Sequence, residues 1–295
     1  MAASTSETVG VVGLGLMGAA MSERFIGARL TVVGYDRVPE KVAALAAIGG
    51  EAAQDAAEVA ARCDRIVYAV LTTAQVEESL REIDNALRPG SLVIDTTTGS
   101  PPGVARLAQA LRERGAAYVD ATVAGSSEEL RRGEALVMAG GDPDAFRRCE
   151  DLFACFARKA VHLGPAGSGA SMKLVVNLAL GLNRAVLGEA LAFAEALGID
   201  PAKALEIMRD SPAYSRAMEV KGEKMLARDY RPQARLSQHL KDVRLILDMA
   251  EKRGARVPLS RLHAGLLEIL AEAGLGDFDN SAIVEAFRRD PGRGQ

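Results

Sequence analysis

Lys173 and Asn177 stand four residues apart in GPAGSGASMKLVVN (residues 164–177), where three glycines lead into a long apolar segment. Glycine is a poor helix former and lysine resists burial, so neither choice serves packing. On a helix the two polar side chains share one face, and Leu174, Val175 and Val176 cover the other directions. An ammonium and an amide so placed suit a reaction in which a carbon gains or loses hydride. The oxygen on that carbon then needs a positioned acid or base. Gly167 and Gly169 would let a ligand come close to the backbone. The plainer alternative for Lys173 is a side chain that snorkels at a helix start.

A second cluster lies near the beginning. Gly13, Leu14, Gly15, Leu16, Met17 and Gly18 form a GxGxxG loop directly after a β-branched run and directly before a helical stretch. That context supplies a tight turn, close backbone approach to a pyrophosphate and a helix N-terminus aimed at its charge. Asp36 follows Gly18 by 18 residues, the place from which a carboxylate accepts the adenosine ribose hydroxyls, which favours NAD. Arg37 beside it would clamp a 2′-phosphate or serve as a solvated charge, so NADP stays open.

These groups need a frame. The runs TVGVVG, LTVVGY, RIVYAV, SLVID, AAYVD, ALVMAG and AVHLG (starting at residues 8, 30, 65, 91, 116, 135 and 160) read as buried strands. Ala-, Leu- and charge-rich helical stretches separate most of them, and that alternation predicts a largely parallel sheet with helices on both faces. After residue 164 no further strand is expected, and helices follow one another between GIDP, SPAY, YRPQ and ARVP. The first of these should run over about 170–197. The expected architecture is a Rossmann-type doubly wound α/β domain (1–164) followed by an all-α domain (165–295).

The totals narrow the function. With 48% hydrophobic residues and a net charge of -3, the 295-residue chain has a soluble globular composition and no electrostatic footprint for nucleic acid. Aromatics at 4% and no Trp leave little stacking platform. Cys63, Cys149 and Cys155 lack a CxxC spacing and read as small core residues of a reducing compartment. His162, His239 and His263 form no metal-ligand pattern, so no metal is expected. The start MAASTSETVG is polar and too short for a signal peptide, and the apolar run 174–182, broken by Asn177, is too short for a bilayer. A cytoplasmic protein with neither membrane nor nucleic-acid partner is the expectation.

Four ordered motifs then show a family resemblance over nearly the whole chain. VGVVGLGLMGAAM resembles the GxGxMGxxM loop of the β-hydroxyacid dehydrogenases, the group of 3-hydroxyisobutyrate dehydrogenase and the tartronate, succinic and glyoxylate semialdehyde reductases. DATVAGSSEELRRGEALVMAGG resembles their DAPVSGG segment with its closing GG, GPAGSGASMKLVVN their GxGxxxKxxNN, and HLKDVRLILD their KDLxLA block. The resemblance implies NAD(P)-dependent interconversion of a small β-hydroxy acid and its semialdehyde, with Lys173 as general acid/base and Asn177 holding substrate or lysine. It implies that Thr122, Val123, Ala124, Gly125 and Ser126 bind a substrate carboxylate, and that Leu71, Thr72, Thr97, Thr98 and Lys241 contact the cofactor, Asp242 orienting that region. It also implies a homodimer or homotetramer formed through the helical domain.

The departures bear on the substrate. Thr122 replaces Pro, Ala124 the usual Ser, Ser126 a Gly, Val176 the first Asn, and Thr72 and Thr73 the Pro-Asn. Ser126 or Ser127 would supply the hydroxyl missing at Ala124. Ser215, in DSPAYSR, is a candidate substrate contact beside a turn or capping role. A non-catalytic dinucleotide-binding scaffold and an imine reductase-like enzyme are the alternatives; Lys173, Asn177 and Lys241 argue against the first, and Lys173 with the DATVAGS segment against the second.

Overall fold

The β-branched runs of the first half pair into one eight-stranded sheet in a computed structural model that describes residues 7–288. The polar start, residues 1–6, and the last residues, 289–295, lie outside the described part. The strands are β1 (Thr8–Val12), β2 (Thr31–Tyr35), β3 (Glu51–Ala52), β4 (Arg65–Tyr68), β5 (Leu92–Asp95), β6 (Ala117–Ala124), β7 (Ala135–Gly141) and β8 (Ala157–His162). Their order across the sheet is β3-β2-β1-β4-β5-β6-β7-β8. Helices follow most strands, as a doubly wound α/β fold requires.

Three features depart from the sequence expectation. β6 and β7 pair antiparallel, Val119 opposite Gly141 and Ala124 opposite Leu136, so the parallel sheet ends in a hairpin-like edge before β8. β3, only two residues long, escaped notice because Glu51 and Ala52 carry no apolar alternation. Cys63 and Cys149 are core residues, but Cys155 is only half-buried.

Alternation along the strands builds two cores. Val9 and Val11 of β1, Val67 of β4 and Ile94 of β5 join one cluster with Phe25 and Phe156. Val12, Ile66, Tyr68 and Val93 turn to the other, with Val59, Val76 and Val104. Both faces are thereby covered, which is why these strands read as continuous apolar runs. Truncating the fully buried Phe25, packed edge-on to Phe156 at 6.0 Å, would cost about 3–5 kcal/mol.

The chain divides into two units at Lys173 and Leu174. That division falls inside a 29-residue helix, Ser168–Ala196. By length and composition this helix is apolar enough to cross a membrane, a property that the short run 174–182 understated. Leu187 and Leu191 are buried in the helical core, whereas Val175, Val186 and Phe193 are exposed.

The second unit is all helical. Pro201–Arg209, Arg216–Ala227, Leu236–Arg253 and Pro258–Leu270 pack with the long helix around Leu187, Leu191, Met225, Leu236, Leu267 and Ile283. Its interior also holds charge. Lys221 donates to both carboxylate oxygens of Asp279 at 2.8 and 3.0 Å, and both residues are buried. Burial opposes ionisation of Asp279, but Lys221 and the N–H groups of Gln233 and Ser281 hold its carboxyl below the ordinary value. The rings of His239 and His263 lie 5.2 Å apart. Burial, with the Arg184 charge nearby, lowers His263 to about 4.

Two outcomes follow for stability. Lys221→Met should cost about 3–5 kcal/mol in urea unfolding, because the Asp279 charge stays buried without its partner. His263 folds neutral, with a pKa of about 4 against about 6.5 unfolded. Its contribution is therefore complete above about pH 6.5 and is lost as pH falls toward 4. Thermal unfolding between those pH values should show that loss in the wild type, and His263→Phe should flatten it.

Candidate active site

The dinucleotide loop is built by close backbone approach. Gly13 has φ +93°, and a Cβ there would stand 2.6 Å from the Ala69 carbonyl oxygen. A Cβ on Gly18 would come within 1.9 Å of the Gly13 carbonyl oxygen, so both positions require glycine. Gly15 is different, because nothing lies within 4 Å of its missing Cβ. Gly15 is also the N-cap of the helix Leu16–Gly27, which has no side-chain cap and no acid in its first turn. Open space over Gly15 and an uncapped helix start fit a bound pyrophosphate. Leu16 is more than half exposed beside them, Leu14 is buried and Met17 packs on the core.

Asp36 closes this end. Its carboxylate accepts the Leu14 N–H at 2.7 Å and the Val38 N–H at 2.9 Å, and Lys41 Nζ stands 3.2 Å from both oxygens. The acid is thus tied to the glycine loop and to Lys41, and a ribose hydroxyl would take the place of the lysine contact. Arg37 points away to Glu78 at 3.0 Å and Glu82 at 3.8 Å on the helix Thr73–Glu82. Hydrogen bonding and attraction to Glu78 raise its pKa.

Further along the sheet, Thr72 caps the helix Thr73–Glu82. Its hydroxyl accepts the Gln75 N–H at 3.2 Å, and the Gln75 side chain accepts the N–H groups of Leu71 and Thr72. Leu71 is exposed. Of the next pair, Thr97 is buried and donates its N–H to Asp95 at 2.8 Å, while Thr98 is half-buried.

Lys173 lies in the first turns of the long helix, half-buried, and its Nζ donates to the Val123 carbonyl oxygen at 2.7 Å. The β6 end supplies that carbonyl, and the segment around it corrects two expectations. Thr122 does not face a substrate: it is fully buried, and its hydroxyl meets the carbonyl oxygens of Gly169 at 3.0 Å and Met138 at 3.2 Å. It latches β6 to the start of the long helix. Ser126 does not replace the missing hydroxyl of Ala124 either. It is the N-cap of the short helix Ser127–Arg131, and both its N–H and its hydroxyl donate to Glu129. Ser127 is buried. Ala124, half-buried, ends β6, and the exposed Gly125, with φ +149°, forms the bend between strand and cap.

In the helical unit Asn177 is buried and its Nδ2 donates to Asp242 Oδ2 at 2.8 Å. Lys241 Nζ stands 2.9 Å from the other oxygen of Asp242. Asp242 therefore orients the amide with its carbonyl end turned away from the carboxylate, and it anchors the lysine as well. Arg184 lies farther along the same helix, and burial lowers its guanidinium to about 10 despite the charges of Asp279 and Asp242. Ser215 is the N-cap of Arg216–Ala227 without a side-chain capping bond, half-buried next to the exposed Tyr214.

The spacing TxxQ at residues 72–75 and SxxE at 126–129 carried the signal for both capping boxes. No spacing signals the Asn177–Asp242 bond, whose partners lie 65 residues apart.

The chain matches two family models, the NAD binding domain of 6-phosphogluconate dehydrogenase over residues 8–164 and the NAD-binding domain of NADP-dependent 3-hydroxyisobutyrate dehydrogenase over 167–287. It is 32% identical to L-threonate dehydrogenase of Cupriavidus necator, with 96% of each chain covered. It is 31% identical to 2-hydroxy-3-oxopropionate reductase of Escherichia coli, covering 95% of this chain and 96% of the relative. The solved structure of Mycobacterium tuberculosis 3-hydroxyisobutyrate dehydrogenase with L-serine superposes at a TM-score of 0.88, at 27% identity, over 97% of this chain and 100% of that one. With a glycine loop fitted to a dinucleotide and full-length likeness to hydroxy-acid enzymes, the chain belongs to the β-hydroxyacid dehydrogenase family of NAD(P)-dependent oxidoreductases.

Proposed function

We propose that this protein interconverts a small β-hydroxy acid and its semialdehyde, with Lys173 as the general acid/base. The observation that carries the reading is the Lys173 ammonium, held 2.7 Å from the Val123 carbonyl in the first turns of the long helix. A neutral carbonyl orients the amine without fixing its charge, so the group keeps its capacity to give and take a proton. The named relatives, acting on threonate and 2-hydroxy-3-oxopropionate, support a short polyhydroxylated acid as the substrate class.

When bound, the nicotinamide cofactor supplies or accepts the hydride. Gly13, Gly15 and Gly18 would hold its pyrophosphate and Asp36 its ribose, with Leu71, Thr72, Thr98 and Lys241 as further contacts. In the reducing direction Lys173 donates a proton to the carbonyl oxygen as it becomes an alkoxide. In the oxidising direction the neutral amine takes the hydroxyl proton. Asn177, its amide set by Asp242, would accept a hydrogen bond from substrate hydroxyl or lysine. The β6 end at Val123 and Ala124, with the bend at Gly125, would receive the substrate carboxylate through backbone N–H groups. Ser215 would be a further substrate contact. Exposed Val175, Val186 and Phe193 on one helix support self-assembly as a dimer or tetramer.

Two experiments test these assignments. Lys173→Ala should lower kcat on tartronate semialdehyde by about 10²–10⁴-fold. Dinucleotide affinity, followed by NADH fluorescence, should stay unchanged; ordinary turnover in the variant would sink the acid/base role. Asp36→Ser should weaken NADH by about tenfold, a loss of about 1.4 kcal/mol. It should narrow the preference over NADPH, since Lys41 stands ready for a 2′-phosphate. Titration of both cofactors checks this.

A further inference from the structure

One carboxylate lies behind the proposed acid/base and takes no part in the chemistry assigned so far. Asp120 on β6 is buried, with one oxygen accepting the Gly167 N–H at 2.9 Å and the other the Ala170 N–H at 2.7 Å. Two glycines pack their backbone closely against it. A Cβ on Gly140 would stand 2.6 Å from Asp120 Oδ1, and a Cβ on Gly169 2.8 Å from Oδ2. Three residues after Asp120 on the same strand, Val123 supplies the carbonyl that holds Lys173. Three residues after Ala170 on the helix comes Lys173 itself.

We propose that Asp120 is the positioning residue for Lys173: its ionised carboxylate ties the turn before the lysine to the strand that holds the lysine's ammonium. This rests on the acid/base reading of Lys173. Both ends of the Lys173–Val123 contact are then set by one group, since β6 carries Asp120 and Val123 while the helix start carries Ala170 and Lys173. Thr122, bonded to the Gly169 carbonyl, secures the same junction. Two N–H donors converge on two separate oxygens, so both oxygens must accept. A protonated carboxyl presents one oxygen as an O–H donor and leaves one backbone N–H facing it.

The groups that face Asp120 favour that protonation within reach of neutral pH. Asp95 on β5, itself bonded to Tyr118 at 2.5 Å, adds a second negative charge nearby. β7 contributes Ala139, Gly140 and Gly141, which do not titrate, and the helix Pro101–Glu113 brings its proline start toward Gly167. Burial is the chief cause, outweighing the Gly167 and Ala170 hydrogen bonds, and it raises the carboxyl to about 6. The raised pKa gives activity and stability opposite signs. Protonation stabilises the fold, fully below about pH 4 and progressively less as pH rises through about 6. The clamp needs the ionised form, so turnover should fall as pH drops through that same value.

The test compares wild type, Asp120→Asn and Lys173→Ala by steady-state kinetics from pH 5 to 9. The wild type is expected to show an acid limb in kcat near pH 6. Asp120→Asn should lack that limb and lose about tenfold or more in kcat at every pH, with KM for dinucleotide unchanged, as slight misplacement of a catalytic group does. An Asp120→Asn enzyme with wild-type kcat and the wild-type acid limb would overturn the proposal. Should that variant fail to fold by circular dichroism, the wild type decides alone. Its lysines are ¹³C-methylated, and the Lys173 resonance is identified by its absence from Lys173→Ala. An inflection of that resonance near pH 6 supports the clamp, and a flat titration through that region overturns it. Turnover by Lys173→Ala would instead refute the acid/base reading, an outcome separate from either of these.

Discussion

Space for backbone against backbone at the start of the long helix is the constraint on which the site depends. No Cβ fits at Gly140 on β7 or at Gly169 in the helix's first turn, where carbonyl and carboxylate oxygens lie within 3 Å of the missing atom. Such an approach brings peptide groups together away from water, and each must then find a partner. The Gly167 and Ala170 N–H groups find Asp120, and the Gly169 carbonyl finds the Thr122 hydroxyl. Only with the helix this close does Lys173 reach back to Val123. The glycines that look so ill-suited to a helix are therefore what lets the helix begin where the lysine is needed.

The same device operates at the cofactor loop, with a different end. Gly18 meets the Gly13 carbonyl and Gly13 meets Ala69, so strand, turn and helix lock without side chains. There the locked turn leaves one face open, over Gly15, and an uncapped helix start beneath it. At the long helix the N-terminal donors are satisfied from inside by a carboxylate. One helix start is left without a side-chain cap, and the other uses its positive end to hold a buried negative charge. Asp36 joins the first arrangement to the end of the second strand, because a single carboxylate braces both Leu14 and Val38.

How much of this was legible follows from what each signal is made of. Strand and helix identities lie in local apolar periodicity, and seven runs translated into strands with shifts of a few residues at their ends. The antiparallel turn of β7 against β6 has no local signature, since ALVMAGG would be as apolar in either direction. Gly13, Gly15, Gly18, Asp36, Lys173 and Asn177 stood out in the sequence because a phosphate cradle and a proton donor would need those residue types at those spacings. Thr122 and Ser126 misled for the opposite reason. A hydroxyl in a substrate-loop motif reads as a ligand donor, whereas the fold uses the first as a latch and the second as a cap. Asp120 stood in plain view at the head of the same motif, but its partners lie 47 and 50 residues away.

The helical unit shows why polar residues there had to be read from structure. Lys221 with Asp279 and Asn177 with Asp242 are buried pairs whose members would each be costly alone. Removing one member of either pair leaves a buried charge or amide without its partner, which is costly. Asp242 turns its pairing to use: it orients an amide on one helix and braces a lysine beside itself on another, the two residues that the family reading assigns to substrate and cofactor. Asp120 does the corresponding work under Lys173. In both units, then, a carboxylate outside the reaction holds in place the groups assigned to it, and those carboxylates account for polar atoms that packing alone would have excluded from the interior.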